Sequence, residues 1–223
     1  MRLSHQSIVA KVVEELEQQI LSGDLRPGQR ITEESLSKKW EVSRSSLREA
    51  FRILESQGYV DHSPRRGIKV AVITPRKVRE VYQVRAALEG LTVQLAVEKN
   101  DPKVIGRLEK LHERMQRKVN QGDLKEYQKL NQQFHEIMIK ASDNEFMIQT
   151  LTPINKLAKR LRAEVFVSPQ GVEKSLRNHA ALISAFKNGN SKQAGETRAQ
   201  TVLEFGNMLE SLLEEKIKTE QKS

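Results

Sequence analysis

Residues 23–70 read GDLRPGQRITEESLSKKWEVSRSSLREAFRILESQGYVDHSPRRGIKV, and their order of helix, tight turn, helix and basic hairpin decides the fold. Ser43 is a good N-cap, because its hydroxyl can accept from the free backbone N–H groups at a helix start. The helix it opens is expected to run to about Gln57 and stop at Gly58. Leu47, Ala50, Phe51 and Leu54 then share one face at spacings of three and four. Arg44 and Arg48 are four apart, so they project together from a different face. Ahead of this helix, Thr32 caps a shorter one over roughly 33–40, whose Glu33 and Glu34 complement the positive end of the helix dipole. Glu41-Val42 leaves only a tight turn between the two. Behind it, 59–62 and 68–72 predict two short strands joined by Ser63-Pro64-Arg65-Arg66-Gly67, a basic turn.

Upstream, Ile8, Val9, Val12, Val13, Leu16 and Ile20 form an apolar stripe at helical spacing, which predicts a helix over about 6–22 ending near Gly23. The turn-rich 23–28 follows, then Arg30 and Ile31 as a very short strand. From Thr74 onward the pattern is helical. Thr74-Pro75 and Asp101-Pro102 place Pro at first helical positions, and Asp123 with Glu126 resembles a capping box. Helices are expected near 75–99, 102–120, 124–141, 144–166, 172–188 and 191–218, the fourth broken near Pro153 and the tail 216–223 frayed. The predicted fold class is mainly α. An N-terminal winged helix-turn-helix over 1–73 precedes a C-terminal all-α helical bundle over 74–223.

The chain has 223 residues and a formal net charge of +9, with 37% hydrophobic and 30% charged residues. That length suffices for two modest domains, each with its own core. No apolar run approaches a membrane span, and the first residues lack the apolar core of a signal peptide. The absence of cysteine removes disulfide and thiolate chemistry and fits a cytoplasmic protein. Residues 1–74 hold 12 Lys and Arg against 10 Asp and Glu, so most of the positive charge lies in the helical part. Bulk charge therefore does not mark a DNA-binding half; local arrangement does.

That arrangement sits at the start of the Ser43 helix. Arg donates two hydrogen bonds to guanine O6 and N7, worth about 1–3 kcal/mol of discrimination per good pair. Ser43, Ser45 and Ser46 are small hydroxylated residues at a helix N-terminus, where backbone N–H groups favour a phosphate. Arg26 is a candidate phosphate clamp, and Arg65, Arg66 and Gly67 form the wing tip. A single Arg pair would be an ordinary solvated face; joined to a helix-turn-helix and a basic hairpin, it reads as a DNA-reading element.

The quoted stretch resembles the signature of the GntR family of regulators. Gly23, Pro27 and Gly28 match its turn, Val42, Ser43, Arg44, Arg48, Glu49 and Ala50 its core, and Gly67 its wing glycine. The resemblance implies that Arg44 and Arg48 contact DNA with help from the wing, while Glu49 is a helix-orienting charge. The helical part resembles the FadR-type effector domain (FCD) over about 75–215, through VRAALEGLTVQLAVE (84–98), NQQFHEIMIKASDN (131–144) and SLRNHAALISAFKNGNSKQA (175–194). It implies an effector pocket at Arg85, Asn131, His135, His179 and Thr201. Many such domains bind a divalent metal through one Asp and three His, with an organic acid against it. Here Asn131 stands at the Asp position and Thr201 at the last His position. Only Asn131, His135 and His179 remain for Zn, Ni or Mn, an incomplete set lacking a charged oxygen ligand. Arg85 would pair with an effector carboxylate or with Glu89. His5, His62 and His112 have no motif context and read as ordinary core or surface residues.

An enzyme is not indicated: there is no Cys, no Gly-x-Ser-x-Gly, no phosphate loop and no His-Glu-x-x-His. The expected protein is a homodimeric transcriptional repressor or activator on a pseudo-palindromic double-stranded operator, modulated by a small organic acid. The alternative is a regulator whose helical domain serves dimerisation only.

Overall fold

The computed structural model describes residues 5–63, 67–163 and 169–220. These gather into two compact units, Met1–Thr74 with Pro153–Glu164, and Pro75–Thr152 with Val165–Ser223.

The first unit contains α1 (His5–Ser22), β1 (Arg30–Ile31), α2 (Glu33–Trp40), α3 (Arg44–Ser56), β2 (Val60–Ser63) and β3 (Gly67–Val70). The strands form an antiparallel sheet in the order β1-β3-β2, with Ile31 opposite Ile68 and Val60 opposite Val70. Arg26-Pro27-Gly28-Gln29 feeds β1. Gln29 N–H closes that turn on the Arg26 carbonyl at 2.9 Å, and Gly28 takes φ +77°, the backbone state that Gly favours after Pro in a type II turn. The α1 stripe (Val9, Val12, Leu16, Ile20) meets Leu47, Ala50, Phe51 and Leu54 of α3 and Ile68 and Val70 of β3 in one core. The winged helix-turn-helix architecture is therefore present, and the helical periodicity identified its packing faces.

The latter part of α7 (Glu145–Ala163) belongs to this unit. Ala158 and Leu161 are buried, and Leu157 sits where a Cβ on Gly58 would clash at 2.7 Å. Arg160 is only 1% exposed. Its Nη2 donates to the Ala71 carbonyl at 2.6 Å, its Nη1 donates to the Gly58 carbonyl, and its guanidinium lies 5.4 Å from the Tyr59 ring centre. Pro153 does not break α7, contrary to expectation. An interior Pro removes one backbone hydrogen bond and crowds the carbonyl four residues back, a cost offset by the burial of Leu151 and Ala158 on either side of it.

The second unit contains α4 (Pro75–Lys99), α5 (Pro102–Asn120), α6 (Leu124–Ala141), the start of α7, α8 (Pro169–Asn188) and α9 (Ser191–Glu220). Asp101 caps α5 by accepting from Lys103 N–H at 2.8 Å, and Asp123 caps α6 through Glu126 N–H at 3.1 Å. Val93, Val97, Leu108, Met115, Leu130, Phe134, Met138 and Phe186 share its core. Helices α4 and α9 pack backbone to backbone. A Cβ on Gly195 would lie 2.8 Å from the Gly90 carbonyl oxygen, and one on Gly206 would lie 2.5 Å from Tyr82 Cβ. This seam holds α4, which carries Arg85, against α9, which carries Thr201. Gly195→Val is expected to destabilise the chain by about 1–3 kcal/mol through overpacking. Gly106→Ala in α5, where a methyl meets nothing within 4 Å, should instead stabilise by about 0.4–1 kcal/mol. Opposite shifts in thermal midpoint are the expected result, and equal shifts would remove the close seam.

Candidate functional site

The first candidate site is the N-terminal face of α3. Ser43 caps the helix: its Oγ accepts from Ser46 N–H at 3.1 Å and lies 2.8 Å from Ser45 Oγ and 2.9 Å from Ser46 Oγ. The turn before it is closed by Ser37 Oγ, which donates to the Val42 carbonyl at 2.7 Å, and by Glu41 in the left-handed conformation. Leu47, Ala50 and Phe51 are buried, while Ser43, Arg44, Ser45 and Arg48 stay exposed. Ser46, a candidate phosphate contact by its place at the helix start, is buried, and its hydroxyl serves the cap.

Arg48 Nε donates to both carboxylate oxygens of Glu33, at 3.0 and 3.1 Å, which aims the guanidinium along the α2–α3 surface. Such an exposed pair contributes about 0–1 kcal/mol, so exchanging it for another acceptor costs little. Arg26 is exposed, its backbone N–H held by Gln29 Oε1 at 2.9 Å. Gly67 opens β3 at φ +77°, with the Arg30 guanidinium about 3.5 Å from where its Cβ would lie. Arg65 and Arg66 lie outside the described residues.

The second candidate site lies inside the helical unit, where five helices converge. Asn131 and His135 come from α6, one turn apart, and His179 comes from α8. Their rings are close: His135 to His179 is 5.3 Å between centroids, and Phe134 to His179 is 4.3 Å. A third imidazole joins them, His112 of α5, edge-on to His179 at 6.3 Å. Sequence reasoning had set His112 aside, because nothing in its neighbourhood along the chain links it to His179; only the packing of α5 on α8 does. Burial, with Arg198 and His112 adding to it, pushes His179 down to about 3. Its imidazole is neutral at physiological pH. Among the described residues, the buried His179 Nδ1, His112 Nδ1 and Asn131 Oδ1 have no hydrogen-bond partner.

Beneath them lies a buried ionic group. Arg85 Nε meets Glu89 Oε1 at 2.5 Å, one turn along α4. Arg198 of α9 donates to Glu89 Oε2 through Nε at 2.8 Å and through Nη2 as well. Arg85, Glu89 and Arg198 are 6%, 3% and 5% exposed. Pairing with Glu89, one of the two roles open to Arg85, is thus present. Arg198 had no motif to mark it in the sequence. Thr201, half-buried, donates its hydroxyl to the Thr197 carbonyl at 2.8 Å.

The metal implied by the resemblance does not fit these residues. Among the described residues no group of three or more His, Cys, Asp or Glu is placed to hold a metal ion. The one carboxylate of the cluster, Glu89, is taken by two guanidinium groups. Two surface clefts of about 260 and 170 Å³ beside α5 and α6, both bounded by Arg107, Gln133 and Ile137, share none of the cluster residues. No helix among the described residues is long and apolar enough to cross a membrane.

Comparisons with known proteins agree with both halves. The profile of the bacterial regulatory proteins, gntR family, matches residues 8–70, and that of the FCD domain matches residues 80–202. The HTH-type transcriptional regulator YdhC of Bacillus subtilis (strain 168) is 33% identical over 181 residues, covering 81% of each chain. The gluconate operon transcriptional repressor of the same organism is 28% identical over 190 residues, 83% of this chain and 78% of that one. The solved structure of E. coli McbR/YncC shares the fold, with a TM-score of 0.69 over 91% of this chain and 96% of that one at 22% identity. The chain belongs to the GntR family of bacterial regulatory proteins with an FCD effector domain, and is a DNA-binding transcriptional regulator rather than an enzyme.

Proposed function

We propose that α3 enters the major groove of double-stranded DNA and that Arg44 and Arg48 read base edges from its N-terminal face. Ser43, Ser45 and Arg26 would contact the flanking phosphates, with Arg65, Arg66 and Gly67 at the wing. The observation that carries this is the division of α3 into a buried apolar face and an exposed cationic one. A homodimer joined through the helical part, residues 74–223, presents two such heads, residues 1–73, to a pseudo-palindromic operator in the cytoplasm. The likeness to a gluconate operon repressor supports repression as the default sign.

A small organic acid, bound among Arg85, Asn131, His135, His179 and Thr201, would shift the population between two arrangements of the heads by differential affinity. The orphaned polar atoms of the cluster support this over a helical part that serves dimerisation only. Arg48→Ala should weaken specific binding by about 1–3 kcal/mol, roughly 5- to 150-fold, in gel-shift titrations, and leave dimerisation intact. Equal affinity of mutant and parent for specific and scrambled DNA would remove Arg48 from the interface.

A further inference from the structure

We propose that the five-helix cluster is an anion site that works without a divalent metal, its positive charge supplied by the buried Arg85–Glu89–Arg198 group. This rests on the sensor reading above and narrows it. Two guanidinium groups, which stay protonated in proteins, face one carboxylate, so the group carries a net charge of +1 at 3–6% exposure. The imidazole next to it, His179, is neutral.

A divalent cation would add +2 beside that excess, in a medium where charges interact strongly. Asn131 has no charge with which to offset it. An anion does the opposite: it neutralises the excess and accepts hydrogen bonds from guanidinium N–H groups, which recognise carboxylates by their fork geometry. The buried atoms without partners complete the ligand's description. Asn131 Oδ1 needs a donor, and the Nδ1 atoms of His179 and His112 donate or accept according to tautomer, so a group able to do both satisfies all three in either state. A hydroxyl does both. The ligand class is therefore a small carboxylate bearing at least one hydroxyl, its charge toward Arg198 and its hydroxyls toward Asn131, His112 and His179. In this arrangement Arg198 and His112 take over work that a metal would otherwise do.

The test uses the protein as purified, stripped with EDTA, its metal content checked by plasma mass spectrometry. Thermal shift is measured with hydroxycarboxylates from glycolate to gluconate, and with glycerol as a neutral control. Each is run in EDTA and again with zinc, nickel or manganese. The expected result is stabilisation by a hydroxycarboxylate that EDTA does not diminish, and none by glycerol. Arg198→Gln should weaken that binding roughly tenfold or more. Because Arg198→Gln risks misfolding, Asn131→Asp is the second variant. It places a negative charge beside the anion and completes a metal-type ligand, so it should weaken anion binding and make zinc stabilising. Stabilisation that appears only with metal, or unchanged anion binding in Asn131→Asp, overturns the metal-free site and leaves the sensor reading standing. No stabilisation by any anion, with or without metal, overturns both.

Discussion

Arg160→Ala is expected to cost the N-terminal unit about 3–5 kcal/mol, since each hydrogen bond to a charged group contributes about 1.5–3 kcal/mol. Arg160 donates to the carbonyls of Gly58 and Ala71, which flank the β2–β3 hairpin on either side. Removing the guanidinium leaves one buried and one half-buried acceptor without those donors and opens space against the Tyr59 ring. Tyr59 cannot fill the role: it is 3% exposed, and its hydroxyl is pushed up to about 12, mainly by burial. Neighbouring contacts share the load. Leu157 closes over Gly58, and the Gln57 amide, in the orientation that satisfies both ends, donates to Glu17 at 2.6 Å and accepts from Lys156 at 3.0 Å. Arg160→Lys should recover part of the loss, because a Lys ammonium keeps the charge without the fork. Amide hydrogen exchange of β2 and β3 checks this directly. Protection as high in Arg160→Ala as in the parent would mean that the hairpin stands without the clamp.

Glu89→Ala should be the most damaging substitution in the helical unit, at about 3–5 kcal/mol, because it leaves two buried guanidinium groups without their shared counter-charge. Burial, the largest influence on Arg198, already pulls that group down, with Arg85 adding to it; Glu89 is what holds it up. Replacing all three members by apolar residues of similar size (Arg85→Met, Glu89→Leu, Arg198→Met) should restore most of the stability, since the desolvation cost of the charges vanishes with them. The same triple variant should lose its response to carboxylates. Thermal melts with and without a hydroxycarboxylate separate the two effects. A triple variant as unstable as Glu89→Ala would show that packing, not charge, is at stake; one that kept its carboxylate response would place the anion elsewhere.

Local patterning made much of the fold legible. The Ser43 cap, the α1 stripe and the face of Leu47, Ala50, Phe51 and Leu54 all follow from helix geometry within one segment, and each stands where its periodicity put it. The second core was legible as helices but not as a packing arrangement. Nothing near Gly195 along the chain says that Gly90 will lie against it, because that contact depends on the crossing of α4 and α9. Arg198, His112 and Arg160 were missed for the same reason. Each is an ordinary polar residue in a helical run, made distinctive by partners 109, 67 and 102 residues away. Asn131, His135 and His179 were reached through family resemblance, which names positions but not the charge that surrounds them. Pro153 misled because its cost was judged without the buried anchors on both sides of the helix.

Methylation interference on an operator selected from random DNA tests the docking of α3 most directly. N7 of guanine faces the major groove and is a partner of the Arg fork, whereas N3 of adenine lies in the minor groove. If Arg44 and Arg48 read guanine edges, methylation at guanine N7 in both half-sites will block binding, and Arg48→Ala will erase the block at one position per half-site. Binding indifferent to N7 methylation throughout the operator would contradict major-groove reading by α3.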